Sequence, residues 1–362
     1  MELSRISGAY IENNFIWLPT TEVNGLFFGE LTQNGVECKR ICAFECHSQS
    51  PEYFKIRKVI DIGDEIILFS IVGGHSWRVN KATKSVKYEQ YMKELRNVVV
   101  DVVQYDDYVL IIPGNFSDEI IKYFLKSGKV ELLDWGVSEL GEECGTIITR
   151  VHYDNGFLYW CTRKRNQIIL FVLDGKNMII KHHSLEKLEY VSCVSSIDDM
   201  LLVVGKGREK EETTLFFFDK VTFRYLTNSS LQLAEKMDNS DINYLRAMTK
   251  KGKILLIPYK ARNIILIDEE NNCEKVINIP GVCSEENVYF SDVQMTDNYI
   301  YMFPLEAPYI VRVDISDFSV ATIGLSVDKF DYVTSYLLPG IVSEKIQYVS
   351  LSDFIEYISR EE

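Results

Sequence analysis

The 362 residues carry 46% apolar and 25% charged side chains, ordinary values for a globular protein with a sizeable core. A formal net charge of -14 excludes a general affinity for nucleic acid or anionic membranes, both of which need a basic surface. No stretch approaches the ~18 uncharged apolar residues of a membrane-crossing helix. The opening "MELSRISGAYIENN" has no basic-then-apolar leader, so a cytoplasmic protein is expected.

From the N-terminus onward the chain repeats one phrase. A short apolar run stands at Phe15 ("FIWLPT"), Glu65 ("EIILFS"), Tyr108 ("YVLIIP"), Phe157 ("FLYWCT"), Met200 ("MLLVVG"), Lys253 ("KILLIP") and Tyr299 ("YIYMFP"). The copies lie about 43 to 53 residues apart. Each is preceded by a strand and a tight turn such as "ENN", "YDD" or "YDNG", whose Asx and Gly residues tolerate positive backbone angles. Each is followed by a second apolar run, then a polar turn such as "KATKS", "KSGK" or "DGKN", then a further strand. The runs are short and rich in Ile, Val, Tyr and Phe, which favours strand over helix. The unit is therefore four strands, A to D, with A before the tight turn.

Four antiparallel strands repeated at this period predict an all-β fold, a β-propeller of seven four-stranded blades. Six or eight blades are the alternatives in number, and a long two-sheet sandwich is the alternative in architecture. The predicted propeller spans residues 1–326. Residues 327–362 form an extension in which Leu351, Phe354, Ile355 and Ile358 recur at helical spacing behind Ser350, a short amphipathic helix. Ring closure is expected to rest on side-chain packing between first and last blades. The phrasing of the copies resembles bacterial β-propeller proteins of the YVTN/NHL-like kind. That resemblance implies architecture and no particular chemistry.

The A strands carry the functional hint. Aligned on Pro19, Ser70, Pro113, Thr162, Gly205, Pro258 and Pro304, the position eleven residues earlier reads Gly8, Val59, Val102, Val151, Val194, Ala247 and Val293. All are small and apolar, as a wedge between neighbouring blades requires. Strand residues alternate faces. The preceding position therefore points toward the central funnel, and it reads Ser7, Lys58, Asp101, Arg150, Cys193, Arg246 and Asp292. These charges either pair with one another or bind an anionic group, with Lys58, Arg150 and Arg246 facing a carboxylate or phosphate and Ser7, Asp101 and Asp292 completing the site. His152, two residues after Arg150, is a candidate proton carrier, with Asp101 and Asp292 as further catalytic candidates.

The B–C loops of consecutive copies add Arg163, Lys164, Arg165, Arg208, Lys260 and Arg262, a basic sector on an acidic protein. The eight cysteines read as free thiols of a reducing compartment. "CKRICAFEC" places its cysteines four apart, too far along one strand to share a metal. No glycine pair recurs as in kelch repeats, no Trp-Asp dipeptide closes the blades, and no phosphate loop, nucleophile elbow or HExxH is present. The chain thus reads as a propeller scaffold that engages a protein or peptide partner on its loop face, without cofactor or metal. The alternative is a lyase, hydrolase or cyclase acting on an anionic small molecule or peptide in the funnel.

Overall fold

The computed structural model describes residues 6, 8–20, 25–32, 35–43, 56–92, 98–115, 119–134, 147–208, 213–231, 244–250, 252–259, 263–268, 273–280, 289–305, 307–329 and 331. Ser7, Lys260, Arg262 and the tail helix predicted after Ser350 lie outside them, as does nearly all of the extension from residue 327.

Among the described residues the elements are strands, four per repeat. The first repeat holds β1 (Tyr10–Glu12), β2 (Phe15–Thr20), β3 (Gly25–Glu30) and β4 (Val36–Ala43). The second holds β5 (Ile56–Asp61), β6 (Glu65–Ser70), β7 (His75–Asn80) and β8 (Val86–Gln90). The third holds β9 (Val99–Gln104), β10 (Tyr108–Pro113), β11 (Ile120–Phe124) and β12 (Val130–Leu133). The fourth holds β13 (His152–Asp154), β14 (Phe157–Lys164), β15 (Gln167–Asp174) and β16 (Ile179–Ser184). The fifth holds β17 (Leu188–Ile197), β18 (Met200–Gly207), β19 (Thr213–Asp219) and β20 (Tyr225–Ser230). The sixth holds β21 (Tyr244–Lys250), β22 (Lys253–Pro258), β23 (Asn263–Asp268) and β24 (Cys273–Asn278). The seventh holds β25 (Phe290–Met295), β26 (Tyr299–Pro304), β27 (Tyr309–Asp314) and β28 (Val320–Val327). Each of the seven apolar runs is a second strand. The separate small sheets replace the two-sheet alternative.

Two compact units make up the chain. The first comprises Met1–Glu94, Ser291–Asp314 and Ala321–Glu362, and the second Leu95–Phe290 and Ile315–Val320. In the first unit β5 to β8 form one antiparallel sheet, and the first and seventh repeats share an eight-stranded sheet of order β1-β2-β3-β4-β28-β27-β26-β25. Its joint is a parallel pairing of the two outermost strands, with Leu325, Ser326 and Val327 opposite Val36, Glu37 and Cys38. Main-chain pairing here goes beyond the side-chain packing expected from the sequence. Gly35, at φ 126°, makes the close approach possible, since a Cβ there would stand 2.9 Å from the Gly324 carbonyl oxygen.

The second unit holds four four-stranded sheets in chain order, and neighbouring sheets pack face to face. Leu110, Ile112, Trp160 and Phe171 fill the space between its first two sheets. Leu170, Val172, Val203 and Phe216 fill the next interface, and Leu202, Val204, Leu256 and Ile265 the third. Second strands are covered on both faces, which explains their unbroken apolar runs. Fourth strands, at the rim, alternate between half-buried and exposed positions.

The C–D turns follow one plan. Asn80, Asp174 and Asp219 each accept two turn N–H groups on a side-chain oxygen, from Ala82 and Thr83, Lys176 and Asn177, and Val221 and Thr222. Four residues after the Asx position the chain enters the left-handed region, at Lys84 (φ 58°), Met178 (54°), Phe223 (56°) and Phe318 (58°). That conformation costs about 1 kcal/mol for a non-glycine residue. Packing offsets it: Lys84 Nζ lies 4.2 Å from the Trp17 ring, and Phe223 stacks on His183 at 4.2 Å, each on the preceding sheet.

Gly205 lies within the second strand of the fifth repeat, where Tyr190 crosses so closely that a Cβ would overlap its carbonyl oxygen. A bulge between Val191 and Cys193 produces the approach. Gly205→Ala is expected to lower unfolding stability by about 2 kcal/mol, read as a shifted urea midpoint at unchanged slope.

Candidate functional site

Strand register settles which A-strand residues share a face. Val59 pairs with Leu68, Val102 with Ile111, Val194 with Val203 and Ala247 with Leu256, the fourth residue of the second strand in each case. In the first repeat Tyr10 pairs with Trp17, which sets Ala9 beside Leu18. Ala9 therefore belongs to the small column where Gly8 was expected, and Gly8 takes the place of Ser7. Pro19 is one residue short of Thr20, the true counterpart of Ser70 and Pro113. From Val59 to Val293 the six small residues are buried, between 2 and 5% exposed.

The preceding column converges on two clusters, one in each unit. In the first unit Lys58 on β5 donates to Asp292 on β25 at 2.9 Å. These strands belong to the second and seventh repeats, with β1 of the first repeat between them. Gly8 stands at the intervening position and, at φ 69°, has no side chain to block the span. Asp292 also accepts the Val293 N–H at 2.8 Å.

In the second unit Arg246 on β21 reaches Asp101 on β9 at 3.5 Å, past two intervening sheets. Asp101 also accepts the N–H groups of Val102 (3.0 Å) and Val151 (3.3 Å). Arg150 donates to the Val100 carbonyl at 2.8 Å. Cys193, the member between Arg150 and Arg246, is buried. Burial pushes its thiol up to about 12, against the opposing pull of Arg246 and of the Ala247 N–H. A thiol held protonated is inert as a nucleophile.

His152 lies on the neighbouring stretch of β13, and its Nε2 is 2.9 Å from the Ser196 hydroxyl. Burial, reinforced by the positive charge of Arg246, lowers its pKa from 6.5 to about 4. The imidazole is therefore neutral at pH 7. Unfolding restores its ordinary basicity, so the unfolded chain binds the extra proton between pH 6.5 and 4. This contribution to stability is full above pH 6.5 and is lost as pH falls toward 4. His152→Gln is expected to flatten the pH dependence of the unfolding free energy across that window, measured by urea titration at half-unit pH steps.

Two polar clamps between sheets escaped the sequence reading. In the first unit Lys81 bridges Glu12 (2.7 Å) and Asp61 (2.8 Å), and the Tyr10 hydroxyl donates to Asp61 at 2.5 Å. Although burial works against it, the bonds from Lys81, Tyr10 and the Gly63 N–H hold the Asp61 carboxyl below its ordinary range. In the second unit Lys220 pairs with Asp154, beside the His152–Ser196 bond. Lys81 and Lys220 both follow the Asx residue that ends a third strand. Glu12 and Asp154 both end the first strand of the preceding repeat. That recurrence is the signal that could have revealed them.

His75 of "GGHSW" is buried edge-on against Trp77 at 4.9 Å. His182 faces Phe171 while His183 stacks on Phe223. Cys38, Cys42, Cys161 and Cys193 are free thiols. No group of three or more His, Cys, Asp or Glu side chains among the described residues could hold a metal ion. No helix among them is long and apolar enough to cross a membrane.

No family model matches this chain, and no curated protein matches its sequence. Solved structures do match. YCF48 from Cyanidioschyzon merolae is 11% identical, with a TM-score of 0.61 over 86% of this chain and 95% of that one. The complex of KlAtg21 with the coiled-coil of AgAtg16 gives 12% identity and a TM-score of 0.57 over 89% and 98%. The Dos1 propeller gives 9% and 0.55 over 89% and 81%. At such identities the likeness speaks for the fold alone: small four-stranded sheets repeated in chain order, and the architecture of a β-propeller.

Proposed function

We propose that the seven repeats close into a seven-bladed propeller that acts as a cytoplasmic interaction scaffold, engaging a protein partner through the B–C turns of its second unit. The observation that carries this reading is the internal pairing of the axial charges. Lys58 is bonded to Asp292, Arg246 to Asp101 and Arg150 to a main-chain carbonyl. His152 is neutral and bonded to Ser196. Groups engaged in this way maintain the interior and are poorly placed for acid–base work.

The B–C turns offer a different chemistry. Arg163 and Lys164 end β14, and Arg165, at φ 52°, stands in the turn to β15. The Arg163 guanidinium donates to the Glu189 carbonyl at 3.1 Å, and that of Arg208 to the Asn166 carbonyl at 2.6 Å. Each bond ties a guanidinium to the adjoining repeat and orients it before any partner arrives, which lowers the ordering cost of binding. An acidic protein segment complements this sector. The KlAtg21 complex with a coiled-coil is a precedent for a partner on a similar fold. The free thiols agree with a reducing compartment.

The test is affinity enrichment with the full chain, partners being identified, remade and titrated. Replacing Arg163, Arg165 and Arg208 by Glu is expected to weaken the dominant partner at least tenfold, while Arg150→Ala with Arg246→Ala leaves it bound. The reverse pattern would transfer the function to the axial column and favour the enzyme alternative, an anionic small molecule or peptide bound by Lys58, Arg150 and Arg246.

A further inference from the structure

At the other end of the same strands, two of the turns between first and second strands in the second unit carry paired carboxylates. Asp106 and Asp107 are exposed in the β9–β10 turn, and Asp198 and Asp199 occupy the β17–β18 turn. The β9–β10 turn is flanked by two tyrosines. The rings of Tyr105 and Tyr108 stack at 5.0 Å with 11° between their planes, and Tyr153 of the next repeat stands edge-on to Tyr105 at 5.4 Å.

The placement of these rings is specified locally. The Tyr105 hydroxyl donates to the Gly156 carbonyl (3.3 Å), and the Tyr108 hydroxyl to the Gly175 carbonyl (3.0 Å). Gly175 is required, because a Cβ there would overlap the Tyr105 hydroxyl. With their hydroxyls turned onto the backbone, both residues present ring rather than phenol oxygen. Tyr153 is 46% exposed, far more than a tyrosine packed into an interface.

Aromatic faces attract cations, and this cluster already holds one. Lys122 Nζ lies 4.3 Å from the Tyr108 centroid and 4.9 Å from that of Phe124. Among the described residues no lysine or arginine lies over Tyr105 or Tyr153. The carboxylates of Asp106 and Asp107 add negative charge beside the stack.

We propose that Tyr153, the Tyr105–Tyr108 stack and the Asp106–Asp107 turn form a recognition site for a cationic side chain, a lysine or arginine on an exposed segment of a partner protein. Charge complementarity identifies the occupant. Ring faces and two carboxylates favour a cation and disfavour an acidic segment, which belongs at the arginine-bearing end. The third repeat would then favour a cation at its first turn, while the arginines of the fourth and fifth repeats favour an anion at the opposite end of the strands. This site does not depend on the B–C turn proposal.

The test uses the full chain and a fluorescein-labelled peptide alternating lysine and serine, with its glutamine-for-lysine counterpart. The lysine peptide is expected to bind and the glutamine peptide to bind at least tenfold more weakly. Tyr153→Ala should weaken the lysine peptide about fivefold, the scale of one partly exposed cation–aromatic contact. Tyr153→Phe, which keeps the ring, should bind as the native chain does. Asp106→Asn with Asp107→Asn should weaken binding by a similar factor, and Glu186→Gln, in the turn after β16, should leave it unchanged. Equal binding of the two peptides, unchanged affinity in Tyr153→Ala, or equal loss in Tyr153→Ala and Tyr153→Phe would overturn the proposal. So would a loss in Glu186→Gln matching that in the Asp106 and Asp107 variant, because charge would then be acting from anywhere on the surface.

Discussion

Asp101→Ala is expected to lower unfolding stability by about 2–4 kcal/mol, the scale of leaving two buried main-chain N–H groups without an acceptor. The carboxylate, 7% exposed, accepts two main-chain N–H groups and faces Arg246. Alanine removes all three acceptor contacts. Two buried amides and a guanidinium are left with unmet hydrogen bonds, and the cost is that of burying them unpaired. Asp101→Asn keeps one acceptor oxygen and loses the charge, so it should fall between alanine and the native chain. The measurement is the urea midpoint followed by far-ultraviolet circular dichroism. If Asp101→Ala unfolds within 1 kcal/mol of the native chain, the axial cluster is not holding the second unit together.

Trp160→Ala should have an effect of similar size, about 3–5 kcal/mol, by a different route. Trp160 is fully buried and stacks on Phe171, with ring centroids 5.6 Å apart and planes 8° apart. It packs with Leu110 and Ile112 of the preceding sheet as well as with its own. Truncation removes the transfer energy of a large ring and leaves a cavity that two pinned sheets can close only in part. Trp160→Phe retains most of the apolar volume and should cost less than half as much. Because an indole is deleted, circular dichroism is the appropriate readout. Equal midpoints for Trp160→Ala and Trp160→Phe would mean that the interface relaxes around the gap.

The repeat was legible because burial imposes a pattern. A second strand covered on both faces has to be apolar throughout, so "YVLIIP" and "KILLIP" announce themselves. The C–D turns were legible because a side-chain acceptor at Asn80, Asp174 or Asp219 is a local requirement. The small column was legible from Val59 to Val293 and slipped in the first repeat. There a proline inside β2 served as the register mark, although nothing fixes proline at the strand's end.

The destinations of the axial charges were not legible. Lys58 and Asp292 are separated by 234 positions, and Arg246 and Asp101 by 145. Each pair reaches past at least one intervening repeat, so the choice of partner depends on where the strands point in space. Cys193 looks like a failure of the polar pattern in sequence, and Gly8 reads as a member of the small column. In the structure they are the small members beneath those long reaches. The tyrosines at 105, 108 and 153 were passed over for a related reason: "QYDDY" and "HYD" read as turn residues until two neighbouring repeats bring their rings together.

The parallel joint between β4 and β28 bears on the order in which the molecule is assembled. Val36 emerges from the ribosome early, and its partner Leu325 is made almost 290 residues later. No local contact can bring them together sooner, so this seam should be among the last features to form. Until then the rim of β4 is an open strand edge with Lys39 exposed and Arg40 beside it. Charges at such an edge discourage pairing with a second nascent chain. Charged residues beside the joint would thus help to keep that seam vacant for its own later-made strand.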